Sequence, residues 1–199
     1  MKRLFTSCLL TALFFSAQSV TAAGNLVHFV FMPAGGVSIP VKPADDVPAN
    51  VIAPAGMMNV NADILFSELM GMRIGVAYDF DSISWSVASV QKTTYLHQAV
   101  IGGYFLMTPV KDFQAGIGLG MKLGVARNVD IGGVFTTGDT AKQSVLFTKL
   151  FCGYTFWVAD NIGIMLEAYG GYGYSYFDFS QRAYAGGGAG LVIKVGDRD

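Results

Sequence analysis

One stretch of the chain alternates strictly between two kinds of residue, and it predicts the type of fold. Every second residue from 113 to 126 is bulky and apolar, while the residues between them are mostly glycine. The apolar set is Phe113, Ala115, Ile117, Leu119, Met121, Leu123 and Val125; the other set is Gln114, Gly116, Gly118, Gly120, Lys122, Gly124 and Ala126. A period of two is the repeat of a β-strand. In a soluble sheet the glycine face would weaken the strand. In a narrow transmembrane barrel the aliphatic residues face lipid and the glycines fit the lumen.

Seven other segments alternate in a similar way. The predicted strands cover residues 25–41, 70–78, 83–89, 95–107, 113–126, 145–158, 161–176 and 183–195. Tight turns are predicted at 79–82, 108–112 and 160–161, where turn-forming residues interrupt the pattern. The pattern leaves open which face of segment 95–107 points inward. The predicted fold is therefore all-β: an eight-stranded antiparallel transmembrane β-barrel.

Two longer segments lack this alternation and are predicted to be loops. Residues 42–56 contain three of the six prolines, and residues 127–144 contain Gly-Gly and Thr-Gly-Asp. Residues 59–67 fit either a short helix over the barrel mouth or an extension of a strand. An even number of strands places both chain ends on the side of the short turns. In outer-membrane barrels that side is the periplasm, so the longer loops are predicted to be extracellular.

The first 23 residues have the features of a cleaved signal peptide. Lys2 and Arg3 precede a mostly apolar run, and Thr21-Ala22-Ala23 supplies small residues for cleavage after Ala23 or Ala22. We therefore expect residues 1–23 to be a signal peptide and residues 24–199 to be an outer-membrane barrel domain. Cys152 is then the one cysteine of the mature chain, which excludes an intramolecular disulfide. It is interpreted as a small apolar filler.

The composition agrees with a barrel rather than with membrane helices. The chain of 199 residues is 52% hydrophobic, with a mean hydropathy of +0.46. Beyond the N-terminus, however, its longest apolar run is the nine residues 99–107. A spanning helix needs about 20 such residues, whereas a tilted barrel strand needs about 9–11. The formal net charge of −1 gives no reason to expect a nucleic-acid partner.

Charged residues inside the alternating segments identify candidate lumen-lining positions. A Lys or Arg facing lipid near the bilayer centre costs about 2–4 kcal/mol, so such residues are expected to point inward. The candidate lumen residues are Arg73, Lys122, Lys149, Glu167, Val30, Met32, Phe147, Phe151 and Met165. The charged members predict either a salt-bridged plug or a selectivity ring, and Lys122 is expected to pair with Glu167. Three cations against one carboxylate would favour anions.

The sequence contains no recognisable catalytic, cofactor or metal site. His28 and His97 have no carboxylate or cysteine at ligand spacing, so both are interpreted as structural. The glycines at 116, 118 and 120 lie within a strand and not before a helix, which excludes a phosphate-binding loop. The expectation is that the protein is not an enzyme and has no cofactor.

Three stretches resemble the OmpW group of eight-stranded outer-membrane barrels. They are VHFVFMPAGGVSIPVKP near the start, GYFLMTPVKDFQAGIGLGMKLG in the middle and FWVADNIGIMLEAYG towards the end. One departure is the last strand, which ends on Val195 where such families have an aromatic residue. The resemblance implies a bacterial outer-membrane protein that contacts the outer-membrane lipid and the assembly machinery.

Two functions remain open at this stage. In the first, which the resemblance implies, the apolar lumen is a narrow permeation path for small hydrophobic solutes. In the second, the barrel does not conduct, and its loops at 42–66 and 127–144 bind host or environmental partners.

Overall fold

Eight antiparallel strands form a closed barrel in which each strand pairs with its neighbours in the sequence and β1 pairs with β8. The computed structural model describes residues 26–42, 51–87, 90–131, 140–175 and 180–196. The strands are β1 Leu26–Lys42, β2 Ala53–Leu65, β3 Met70–Val87, β4 Val90–Val110, β5 Phe113–Ile131, β6 Thr140–Ala159, β7 Ile162–Ser175 and β8 Gln181–Val195. The predicted fold class is confirmed. The predicted signal peptide, residues 1–23, lies outside the described residues and stays a prediction.

The strands are staggered, which tilts them relative to the barrel axis. Following paired residues once around the ring from Val30 leads back to β1 at Pro40, ten residues further along the strand. Closing a sheet requires such a shift, and eight strands leave a lumen just wide enough for side chains to fill. The inward-facing side chains therefore meet across the barrel axis.

The predicted strands 70–78 and 83–89 are wrong as separate strands, although the predicted number of eight strands is right. Residues 53–65 form barrel strand β2, so the predicted loop 42–56 overlaps a strand from residue 53 onward. Of the segment 59–67, which fitted either a helix or a strand, residues 59–65 are strand and residues 66–67 belong to the connection that follows. Residues 70–87 form the single strand β3, with no turn at 79–82. Asp79 and Asp81 resemble turn residues in the sequence, but both are buried inside the barrel. Ile83, in the predicted strand 83–89, is buried as well.

The connections at one barrel end are all short, as predicted. They are residues 66–69, 111–112 and 160–161, and this end also carries Leu26 and Val195. At the opposite end the strands extend further than predicted, because β5 reaches Ile131 and β6 begins at Thr140. One connection at that end, between β3 and β4, is only residues 88–89. We call the two ends the short-turn end and the outer end.

The outer surface of the barrel is an apolar belt, as a lipid-facing wall must be. On β5, Ile117, Leu119 and Leu123 are half exposed, while Gln114 and Lys122 on the alternate positions are buried. The open question for β4 is also answered, since its even-numbered residues from Leu96 to Leu106 face inward. In the described residues, no helix is long and apolar enough to cross a membrane.

Glycines on the inner face of β5 allow the neighbouring strand to approach closely. A Cβ atom at position 118 would lie 2.1 Å from the backbone oxygen of Gly103 and 2.6 Å from the Cα atom of Tyr104. Backbone atoms cannot move away as the end of a flexible side chain can. Position 118 therefore requires glycine.

This close approach gives a testable prediction. We expect Gly118→Ala to destabilise the barrel by about 1–3 kcal/mol, the usual penalty for overpacking. Gly103→Ala is the matched control, because a Cβ atom there would have no other atom within 4 Å. Urea unfolding in lipid vesicles measures both variants. Equal stability of the two would show that β4 and β5 lie further apart than described.

Candidate functional site

All nine candidate lumen residues are buried inside the barrel. Arg73, on β3, is 1% exposed, and Met32 on β1 and Met165 on β7 are fully buried. The others are Val30, Lys122, Phe147, Lys149, Phe151 and Glu167, each no more than 8% exposed. Their burial is a property of the fold. A role for them in permeation stays a prediction.

Arg73 lies at the centre of a buried ion-pair network, which we call the Arg73 cluster: Asp63, Arg73, Gln114, Lys149 and Glu167. Arg73 donates from Nε to Asp63 Oδ1 at 2.6 Å and from Nη2 to Asp63 Oδ2 at 2.9 Å, a two-point pairing. Its Nη1 donates to Glu167, which also accepts from Lys149 Nζ at 2.9 Å. Gln114 Nε2 donates to Asp63 at 3.3 Å. Five strands thus contribute to one charged plug.

Aromatic rings surround the two cations of this plug. The Arg73 guanidinium carbon lies 4.2 Å from the centre of the Phe151 ring, and Lys149 Nζ lies 4.7 Å from the Tyr169 ring. Such contacts stabilise a cation that is removed from water. The rings of Phe147 and Phe151, which were predicted to line an apolar path, therefore pack against charged side chains.

An apolar layer adjoins the Arg73 cluster on its short-turn side. Its members are Val30, Met32, Met165 and Val192, all fully buried, with Trp157 packed against them. Trp157 Nε1 donates to Asp112 Oδ1 at 2.7 Å, which ties the layer to the turn between β4 and β5. Arg73 Nη2 lies 3.8 Å from Met165 Sδ, so cluster and layer are in direct contact. Cluster and layer therefore occupy adjoining levels of the lumen in this half of the barrel.

Lys122 belongs to a second charged group nearer the outer end. Its Nζ donates to Asp79, and its predicted pairing with Glu167 is wrong. Arg182 Nη1 lies 3.6 Å from Asp81 Oδ2 on the same side of the barrel. Lys122 Nζ also lies 5.1 Å from the Tyr184 ring. Glu167 is instead shared between Arg73 and Lys149.

Among the described residues the ion-paired charges of the lumen balance, which corrects the predicted excess of positive charge. The ion-paired groups are Asp63, Asp79, Asp81 and Glu167 against Arg73, Lys122, Lys149 and Arg182. The three aspartates are absent from the candidate lumen residues because segment 59–67 fitted either a helix or a strand and residues 79–82 were predicted to be a turn. Asp79 and Asp81 are an even number of residues from Arg73 along β3, so the alternation of a strand places them on the same, lumen-facing side.

A cavity of about 40 Å³ lies towards the outer end. Its apolar wall includes Leu96 and Val145, and Tyr169 and Tyr184 also line it. The charged pairs Lys122–Asp79 and Arg182–Asp81 contribute as well. A volume of this size holds a few water molecules or a small solute. A smaller cavity of about 10 Å³ borders Lys149 and Tyr104 nearer the middle.

The histidines and the cysteine lie away from this cavity. His28 packs edge-on against Trp157 with ring centres 5.3 Å apart, and His97 Nδ1 lies 2.5 Å from the Tyr78 hydroxyl. Cys152 is exposed on the barrel's outer wall rather than packed as a filler in a core. Among the residues that the structure describes, no three His, Cys, Asp or Glu side chains are grouped to bind a metal ion.

Comparison with known proteins gives structural matches only. No family model matches the sequence, and no curated protein matches it significantly. The solved structures similar to this chain include Ail, the attachment invasion locus protein of Yersinia pestis, in complex with the heparin analogue sucrose octasulfate (15% identity, 85% of this chain and 98% of that chain, TM-score 0.47). Neisserial surface protein A has 15% identity over 86% and 97% of the chains, with a TM-score of 0.42. The outer membrane protein OprG from Pseudomonas aeruginosa has 10% identity over 87% and 97%, with a TM-score of 0.40.

The expectation that the protein is not an enzyme has to be corrected. The similar structures include the outer membrane enzyme PagL, at 10% identity and a TM-score of 0.41. They also include the outer membrane protease OmpT from Escherichia coli, at 9% identity and a TM-score of 0.40. The expected absence of enzymatic activity is therefore withdrawn. At such low identity these matches assign no activity to this chain.

Proposed function

We propose that this protein is an outer-membrane barrel with a closed lumen that acts as a binding protein at its outer end. The observation that carries the proposal is the contact between the Arg73 cluster and the apolar layer, 3.8 Å from Arg73 Nη2 to Met165 Sδ. From these two adjoining layers of buried side chains we infer that the axis of the barrel is closed. Small molecules then enter the lumen from the two ends of the barrel. The larger of the two cavities lies towards the outer end.

The membrane assignment rests on the apolar belt. Leu119 and Leu150 are more than half exposed on adjacent strands, and only lipid makes such a wall favourable. We propose that residues 1–23 direct export, that the outer-membrane assembly machinery inserts the barrel, and that outer-membrane lipid surrounds it.

A permeation path for small hydrophobic solutes, as in the OmpW group, is the second candidate. The apolar wall of the outer cavity favours it, since Leu96 and Val145 would accept such a solute. The solute would have to leave sideways between strands, because the plug blocks the axis.

Electrical recording tests the closed lumen. We expect the purified, refolded protein to produce no stepwise current in planar bilayers at 1 M KCl, because the balanced ion pairs hold the plug together. A shift in gel mobility on boiling shows that the same sample is folded. Stable single-channel openings of the folded parent would contradict the proposal. Faster uptake of a small hydrophobic dye by cells producing the protein, without current, would favour the second candidate.

A further inference from the structure

Two basic side chains lie on the outward face of the barrel near its outer end. Arg127 on β5 and Lys142 on β6 are both exposed, and each has the parity of the lipid-facing residues of its strand. Arg127 is paired with Thr140, and Lys142 is paired with Val125. The two cations are therefore diagonal neighbours across one strand pair, with backbones about 7–8 Å apart, a distance that long side chains can span. One small anion can contact both.

The pair lies at the level of lipid headgroups. Every outward-facing residue from Phe113 to Val125 on β5 is apolar. At the usual tilt of a barrel strand this segment rises about 30 Å, which is the thickness of the hydrocarbon core of a bilayer. Arg127 is the next outward-facing residue, and Lys142 likewise follows an uncharged outward face from Phe156 to Ser144. Both cations therefore lie where the apolar belt ends.

An aromatic group on the neighbouring strands marks the same level. Tyr95 on β4 is paired with Arg127, and its ring stacks on the Phe80 ring with centres 6.0 Å apart. The His97 ring lies 5.1 Å from the Phe80 ring, and His97 Nδ1 lies 2.5 Å from the Tyr78 hydroxyl. Girdles of aromatic residues flank the apolar band of outer-membrane barrels at the membrane interfaces. The cations therefore adjoin a wall of interfacial type.

Neither cation has a counter-charge in the part of the chain that the structure describes. The ion pairs among those residues do not include Arg127 or Lys142. Two adjacent like charges repel each other, and an anion between them replaces this repulsion by attraction. A phosphate group suits the pair, because a guanidinium donates to two of its oxygens and an ammonium contributes a compact charge.

The two ends of the barrel differ in the sign of their exposed charges. At the short-turn end the exposed charged side chains are Glu68, Lys111 and Asp160, two negative and one positive. At the outer end, within the described ranges, they are Arg127 and Lys142. An anionic headgroup is therefore attracted to the wall at the outer end and less so at the other.

We propose that Arg127 and Lys142 form a binding site for the phosphate of an anionic lipid headgroup in the leaflet at the outer end. The ligand is a lipid because the exposed Leu123 and Leu146 continue the same outward faces below the pair, where they contact the acyl chains of the same molecule. The site rests on the membrane assignment of the proposed function and is independent of the closed lumen.

Native mass spectrometry of the refolded protein in a neutral detergent tests the site. The probe is phosphatidylglycerol, and phosphatidylcholine with the same acyl chains is the comparison without net charge. We expect the parent to retain phosphatidylglycerol preferentially. The variant R127Q/K142Q should bind it about thirtyfold more weakly, about fivefold for each cation. The matched control is Lys111→Gln at the short-turn end, which should change binding less than about twofold.

A second measurement needs no variant. Raising the ammonium acetate concentration should weaken binding of phosphatidylglycerol to the parent and leave binding of phosphatidylcholine unchanged, because salt screens exposed charges.

Three outcomes would overturn the proposal. The parent could retain both lipids equally, which would mean that only the acyl chains are bound. Binding of phosphatidylglycerol could persist unchanged in R127Q/K142Q, which would place the headgroup elsewhere. Millimolar inorganic phosphate could displace the lipid, which would identify a site for a soluble anion. A shift in gel mobility on boiling shows that each sample is folded; a parent that never folds in detergent or lipid would reject the membrane assignment itself, so the two failures are distinguishable.

Discussion

Replacing Glu167 by Gln should destabilise the barrel by about 3–5 kcal/mol. Glu167 is 4% exposed and accepts from both Arg73 and Lys149. Its replacement leaves two buried cations with only Asp63 as a counter-charge in the Arg73 cluster. Breaking a buried ion pair by removing one partner costs this much because the remaining charge is no longer compensated. The free energy of unfolding is measured by urea titration in lipid vesicles.

A second substitution tests this explanation. In E167Q/K149M the uncompensated lysine is removed as well, while Arg73 keeps its two-point pairing with Asp63. We expect this double variant to recover more than half of the lost stability. Glu68→Gln, in the exposed turn between β2 and β3, is the control and should change stability by less than about 0.5 kcal/mol. A cost for Glu167→Gln as small as that of the control would mean that water reaches the cluster and that the lumen is open.

Replacing Leu119 by Arg should destabilise the barrel by about 2–4 kcal/mol. Leu119 is 59% exposed near the middle of the outward face of β5, between Ile117 and Met121. An arginine there would lie in the hydrocarbon of the bilayer, where its charge is poorly solvated. Refolding titrations in phosphatidylcholine vesicles measure the effect.

The control for this substitution has the same exposure at a different depth. Leu69 is 60% exposed but lies in the short connection between β2 and β3, at the barrel end. Leu69→Arg should therefore cost only about 0–1 kcal/mol, the value near the membrane interface. Similar costs at both positions would show that the belt does not sit in a bilayer with its centre near Leu119.

The sequence by itself determined the fold class and the orientation of most strands. Strand β5 could be assigned from its pattern because its bulky and small residues alternate without interruption, and a period of two fixes which residues share a face. The inward position of Lys149 follows from the same rule, since Phe147 and Phe151 have its parity. Lipid on one side and a narrow lumen on the other make this pattern unusually strict.

The tertiary structure alone decided where the remaining strands lie and how the charges pair. Asp79 and Asp81 resemble a turn because a short sequence window does not show that cations from β5 and β8 lie opposite them. Glu167 meets Arg73 across 94 positions of sequence, and Lys122 meets Asp79 across 43. These partners depend on the stagger of the closed ring, which no single strand encodes. Parity specifies which face a residue occupies, whereas closure of the barrel specifies its height and therefore its partner.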